Sequence, residues 1–175
     1  DRVNNYAVVD VAGNFGYIHE GKIPIRPQAN GWTIVPGWTG DHEWEGYIPH
    51  DDLPRAINPE AGYAITCNQR VADHNYPYYI GLYFSPDYRA RRIQSKILDL
   101  QPGTATVGDM AGIHADRLST PARDLCQALP TESNGSDPIP KVLSLLKAWD
   151  GSMDRELVAP TIYAQARLCI LSQVL

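Results

Sequence analysis

Apolar and polar positions alternate along the first quarter of the chain, whereas from about residue 89 onward apolar positions recur every three or four residues. That change of period predicts two kinds of structure. From Asn5 to Ile25 the pattern is a β-hairpin, with Tyr6 to Val11 and Phe15 to His19 flanking a turn at Gly13-Asn14. Residues 27–60 are mostly loop, rich in Trp, Gly and Pro, and Pro24, Pro27, Pro36, Pro49, Pro54 and Pro59 punctuate the first half of the chain. A second extended run follows, where Tyr63, Ile65 and Cys67 alternate with Ala64, Thr66 and Asn68 and a turn begins near Gln69.

After Pro86 the chain reads as helical. Ile93, Ile97, Leu98 and Leu100 make one apolar stripe, ended by Pro102-Gly103. Thr106 and Asp109 have the spacing of a capping box, opening a helix whose Met110, Ile113 and Leu118 face inward. Pro121 breaks or kinks that helix before a further one over residues 122–129. Val142, Leu145, Leu146 and Trp149 follow the i, i+3, i+4, i+7 rule, and a last helix runs from about Glu156 to the end with Pro160 in its first turns. The expected class is α+β, with a strand- and loop-rich part over 1–88 and a helical part over 89–175.

Composition narrows the functional classes. The chain has 175 residues, 43% of them hydrophobic and 20% charged, which is ordinary for a globular protein with a sizeable core. A net charge of −5 without a basic stripe speaks against nucleic acid as a partner. No apolar run reaches the roughly 18 residues that a membrane-spanning helix needs, so no membrane partner is expected. The chain starts without Met or a signal-like segment and reads as a mature or trimmed stretch. Cys67, Cys126 and Cys169 are odd in number, lack metal-ligand spacing, and read as buried thiols.

The candidate chemistry lies between Gly62 and Ile93. Asn68 closes an extended run and Arg89, Arg91 and Arg92 open a helix. The residues alone leave two readings of Asn68. It caps a turn, as Asn commonly does, or its side-chain amide donates to an oxyanion, which contributes about 3 kcal/mol to a tetrahedral transition state. His42, Glu43, His50, Asp51 and Asp52 are metal-ligating types in a solvated loop at no recognised ligand spacing, so no metal is assigned to them. Asn134-Gly135-Ser136 fits a glycosylation sequon and equally a simple turn.

The ordered blocks around Asn68 add a family resemblance. Gly62-Tyr63-(x)₄-Asn68, Tyr76-Pro77 and Tyr88-Arg89-Ala90-Arg91-Arg92-Ile93 resemble the β-subunit of penicillin acylases (penicillin amidases), which are N-terminal-nucleophile hydrolases. Asn5-(x)₄-Asp10-(x)₂-Gly13-Asn14-Phe15-Gly16-Tyr17-Ile18 resembles the family's early hairpin, and Gly21-Lys22-Ile23-Pro24-Ile25-Arg26 the strand exit after it. Trp44-Glu45-Gly46-Tyr47-Ile48-Pro49, Leu53-Pro54-Arg55 and Asn58-Pro59 resemble the loop leading to the Asn segment, and Trp149-Asp150-Gly151 a turn between helices.

The resemblance implies a piece of an αββα fold and an amidohydrolase acting on N-acyl compounds, β-lactams or related. It makes Asn68 the side-chain oxyanion donor, Arg92 an active-site arginine near the nucleophile's amino group, and Asn4 a residue of the acyl pocket. It also implies a catalytic Ser at the N-terminus of the β-subunit. Asp1 cannot serve, because the mechanism needs a hydroxyl or thiol carrying its own terminal amine, and Ser136 and Ser152 sit in turns out of the family's order. The chain is therefore expected to be an internal segment, inactive alone. Its partners are the remaining α- and β-subunit segments and a small N-acyl substrate, and the isolated piece, with its sheet edges bare, is expected to self-associate.

The family's secreted or periplasmic location is the expected one, with the cytoplasm as the alternative. No cofactor is required. Family members commonly hold Ca²⁺, but residues 80–83, Ile-Gly-Leu-Tyr, stand where its acidic ligand is expected. The alternative function is a non-catalytic scaffold or binding module of the same family. A Ser, Cys or Thr behind an upstream cleavage site separates the enzyme from that alternative.

Overall fold

A computed structural model describes residues 3–26, 33–130 and 138–174; Pro27 and the Asn134-Gly135-Ser136 turn lie outside them. The chain divides into two compact units, Asp1–Asp99 and Leu100–Leu175. Strands belong to the first and a set of helices to the second, an α+β arrangement.

In the first unit, β1 (Asn4–Val9) and β2 (Phe15–Glu20) pair antiparallel from Asn4↔Glu20 to Val9↔Phe15. The turn between them is held by one carboxylate. Asp10 Oδ1 accepts from the backbone N–H groups of Ala12 and Asn14, and Oδ2 from the Asn14 side chain at 2.7 Å. Gly13 adopts φ 91° there, a conformation that a side chain resists. The Asp-x-x-Gly-Asn spacing is thus a turn requirement rather than chemistry.

The third strand of this sheet, β5 (Arg55–Ile57), lies in the stretch that the sequence presents as loop, because three residues behind Pro54 show no periodicity. It pairs with β2, and Gly16 is needed at the crossing: a Cβ on it would stand 1.9 Å from the Ala56 carbonyl oxygen. A two-stranded sheet joins β3 (Pro24–Ile25) to β4 (Gly46–Tyr47). Beside it Ile23, Ile48 and Leu53 form a small buried cluster with Tyr78 and Ile80 against it. The Tyr76-Pro77-Tyr78 step is fastened by its hydroxyls, Tyr76 donating to the Asp52 carbonyl at 2.9 Å and Tyr78 to the Asp52 carboxylate at 3.0 Å.

Residues 63–68 correct the expectation of a strand. They join neither sheet. Polar side chains hold them instead, as described below. The first unit ends with α1 (Tyr88–Leu98), on which Leu98 is exposed rather than part of an inward stripe.

In the second unit, α2 (Val107–His114) opens with the expected capping box: Thr106 Oγ1 accepts from Asp109 N–H, and Asp109 Oδ2 accepts from Thr106 N–H at 2.8 Å. It ends before Leu118, which lies in a β-bridge to Ser152 rather than on the helix. Pro121 begins α3 (Thr120–Ala128) instead of breaking a helix, because the first turn needs no proline N–H; Ser119 caps it. Then come α4 (Ile139–Ala148) and α5 (Ala159–Val174). Their core is Ala122, Cys126, Leu146, Trp149, Ala159 and Tyr163.

The Trp149-Asp150-Gly151 turn is explained by packing. The indole N–H donates to Ser152 O at 2.9 Å, its ring meets Tyr163 at 5.7 Å, and Asp150 Oδ1 accepts from Ser152 N–H. A Cβ on Gly151 (φ 91°) would press within 2.9 Å of the Ser119 carbonyl. Ser152 donates its hydroxyl to Asp154 at 2.7 Å, a structural use. Cys67 and Cys126 are buried as expected, whereas Cys169 is exposed on α5, since its helix carries apolar residues on every side and only one side meets the core.

Candidate active site

The local geometry around Asn68 starts from an unusual backbone. Asn68 has φ 63°, in the left-handed region that Asn tolerates better than other side chains, so the chain reverses there and the side chain is left exposed. Its carbonyl accepts from Ser85 N–H at 2.8 Å. Just after it, Gln69 folds back over the preceding residues: its Oε1 accepts from Cys67 N–H at 2.6 Å and its Nε2 donates to Ile65 O at 3.1 Å. One glutamine side chain thereby replaces two bonds that a neighbouring strand would supply.

α1 supplies the next hold. Arg89 donates through Nη2 to the Asn68 side-chain oxygen at 2.8 Å and to the Cys67 carbonyl. Gln94, further along the same helix, donates to the Tyr63 hydroxyl at 2.6 Å. With its oxygen on a guanidinium, the Asn68 amide presents its N–H₂ as the end for another acceptor, and the neighbouring positive charge favours negative charge there. Arg91 turns to Asp87, at 2.9 Å, the i, i+4 partner preceding it. Arg92 is half-buried and lies three residues beyond Arg89, on the same helical face. Of the cluster's three arginines, Arg89 is one that bonds Asn68 directly. Its spacing from Asn68 carried no signal, since only the folded loop brings the two together.

The hairpin provides a third hold. Asn5 and His19 are direct cross-strand partners; Asn5 Nδ2 donates to Thr66 Oγ1 at 2.7 Å, and His19 Nδ1 lies 2.6 Å from Asn5 Oδ1. Tyr17, two residues before His19 and on the same face, donates its hydroxyl to Val71 O at 3.2 Å. Burial lowers the pKa of His19, opposed by the charge of Glu20. Asn4 alternates to the opposite face of β1, is exposed, and accepts from Asn5 N–H at 3.1 Å. Nearby, a concavity of about 350 Å³ is lined by Tyr17, Arg55, Val71, Asp73 and Tyr76 among others.

Of the metal-ligating residue types, His50, Asp51 and Asp52 are otherwise engaged. His50 Nε2 sits 2.8 Å from Glu20 and Nδ1 3.3 Å from Asp51, and Asp52 serves Tyr78. Residues 80–83 offer no carboxylate, and among the described residues no three His, Cys, Asp or Glu side chains form a metal-holding group. These side chains do not fit a calcium cage.

A rigidly backed amide beside a guanidinium, on a strand-and-helix scaffold, can stabilise oxygen charge. A sequence model of the penicillin amidase family matches residues 2–175, and the chain belongs to that family, whose members are acylases acting on amides. It is 41% identical over 163 residues to "Penicillin acylase 2 proenzyme" of Pseudomonas sp. (strain SE83), covering 91% of this chain and 20% of that protein. It is 31% identical over 157 residues to Penicillin G acylase of Escherichia coli, covering 84% of this chain and 18% of that one. An acyl-homoserine lactone acylase, QuiP of Pseudomonas fluorescens (strain Pf0-1), is 37% identical over 65 residues, 37% of this chain and 8% of its own.

The thermostable penicillin G acylase from Alcaligenes faecalis shares the fold, with a TM-score of 0.61 and 23% identity over 86% of this chain and 28% of its own. That likeness concerns the fold. This chain spans about a fifth of the length of the two penicillin acylases.

Proposed function

We propose that these residues form the oxyanion-stabilising part of an amidohydrolase that cleaves the amide of an N-acyl compound, a β-lactam or a related acylated amine. The observation that carries this reading is the Arg89–Asn68 bond, which orients the Asn68 amide with its N–H₂ outward. Attack on an amide carbonyl places negative charge on its oxygen, and a donor already fixed in direction stabilises that charge without reorganising. Arg89 holds and polarises Asn68, and Arg92, on the same face, faces the polar groups around the nucleophile's amine. Asn4 contributes to the acyl pocket.

The nucleophile, a Ser whose own amine is its base, comes from the rest of the polypeptide, as do the other α- and β-subunit segments. The family membership and the one-fifth span support that division. Taken alone, the 175 residues fold without turnover and self-associate through the exposed outer edge of β1, where Tyr6, Val8 and Val9 are bare. The working location is periplasmic or secreted.

The test is Asn68→Ala in the full-length enzyme, assayed on a panel of N-acyl substrates. Turnover is expected to fall about 10²-fold or more with the fold retained, because the side chain is exposed. Unchanged turnover removes Asn68 from the site.

A further inference from the structure

Asn68 can donate in a fixed direction only if the backbone at residues 66–68 is fixed. α1 fixes one end through Arg89. The other end is held from the hairpin by Asn5, whose Nδ2 donates to the Thr66 hydroxyl oxygen at 2.7 Å. A carboxamide has one donating and one accepting end, so an Asn5 amide committed to Thr66 turns its oxygen toward His19. His19 Nδ1 lies 2.6 Å from that oxygen. An amide oxygen only accepts, and the neutral ring must therefore carry its proton on Nδ1.

The pairing is built into the sheet. Asn5 and His19 are opposite each other in the β1–β2 ladder, on one face, where side chains of opposed residues stand about 5 Å apart. The His19 backbone N–H is itself bonded to Pro54 O at 2.9 Å, which ties the ring's position to the segment before β5. Asn5, His19 and Thr66 are all half-buried, so water competes poorly for these bonds.

We propose that His19 is a positioning residue of the active site: through Asn5 it locks the Thr66 hydroxyl and so fixes the backbone that presents Asn68. This rests on Asn68 being the oxyanion donor. The lock is not a pH switch. Burial favours the neutral ring, and protonation adds a proton at Nε2 while leaving the Nδ1–H bond to Asn5 intact. Around the ring, the charged neighbour is Glu20 on its own strand, and Asn5, Thr66 and Pro54 face it from the packed elements.

The experiment compares four variants of the full-length enzyme by initial rates. His19→Phe keeps a ring and removes the donor; His19→Asn returns a donor near the Nδ1 position; Asn5→Asp still accepts from His19 but cannot donate to Thr66; Asn68→Ala is the reference. His19→Phe and Asn5→Asp are each expected to lower kcat about tenfold with KM within about twofold, and His19→Asn to recover most of the loss. Wild-type kcat in His19→Phe, or a loss that only tracks the folded fraction and is not recovered by His19→Asn, overturns the proposal.

If Asn68→Ala is defective while His19→Phe and Asn5→Asp are normal, the positioning role fails and the oxyanion reading stands. If Asn68→Ala is normal, the oxyanion reading fails and the positioning role with it. Should His19→Phe not fold, ¹⁵N shifts of the His19 ring in the wild-type enzyme above neutral pH decide: a protonated Nδ1 is expected, and an Nε2–H tautomer overturns the proposal.

Discussion

The unit that carries Asn68 and the unit that carries Trp149 are stabilised by opposite means. In the first, the buried apolar cluster near the small sheet is Ile23, Ile48 and Leu53 among the described residues, and the segment that carries Asn68 is held by side chains bonding to backbone: Gln69 to Ile65 and Cys67, Arg89 to Cys67, Tyr17 to Val71. In the second, six buried residues from α3, α4, α5 and the turn after α4 pack together, and polar bonds such as the Ser119 cap and Asp150 to Ser152 hold the turns at its edge. An apolar core is indifferent to direction, whereas a hydrogen bond from a guanidinium or an amide fixes where an atom points. A site that stabilises charge at one position needs the second kind of support, and the unit without it needs only volume to be filled.

Deleting the indole tests the packed unit most severely. Trp149→Ala should cost about 3–5 kcal/mol, as large aromatic truncations in cores do, and should appear as lost hydrogen-exchange protection across α3, α4 and α5. Protection unchanged within error would mean that the Trp149 contacts with Tyr163 and Ser152 are incidental. A smaller effect, directed at chemistry rather than stability, is expected in the other unit. Arg89→Lys keeps the charge but loses the planar fork that serves both Cys67 O and Asn68 Oδ1. Initial rates on an N-acyl substrate should fall about tenfold with α1 still protected from exchange, and a wild-type rate would detach Arg89 from the site.

The smallest effect tests whether surface polar bonds in the first unit matter at all. His50 has its pKa raised by hydrogen bonding to Glu20, then to Asp51. A raised folded pKa means that the protonated ring stabilises the folded state. The contribution is fully present below the ordinary histidine value of about 6.5 and is lost as pH rises through the raised value. The melting-temperature gap between wild type and Glu20→Gln should therefore narrow from pH 6 to pH 9, and a gap that widens would contradict the pairing. His50 is well exposed and Glu20 partly so, and solvent screening keeps the gap small throughout.

Much of the second unit was legible because a helix's information is local. The capping box at Thr106 and the apolar spacing of Val142, Leu146 and Trp149 each act within one or two turns. Pro121 fits a break in the sequence and is a start in the structure, since the same missing N–H suits both and only the position of Ser119 as cap decides between them. The hairpin was legible for a similar reason: Asp10, Gly13 and Asn14 complete their turn among themselves. β5 was not, because a three-residue strand has no period and exists only where β2 offers its edge.

By itself the sequence determined the family and the change from alternating to helical period, and it singled out Asn68 as the candidate oxyanion donor, since ordered motifs and local periodicity survive in one dimension. Tertiary structure alone decided that residues 63–68 are held by side chains rather than by a sheet, that Arg89 reaches Asn68, and that Asn5 and His19 stand behind Thr66. Those bonds join residues 14 to 61 positions apart. Their partners are chosen by direction and distance in space, which spacing along a chain does not encode.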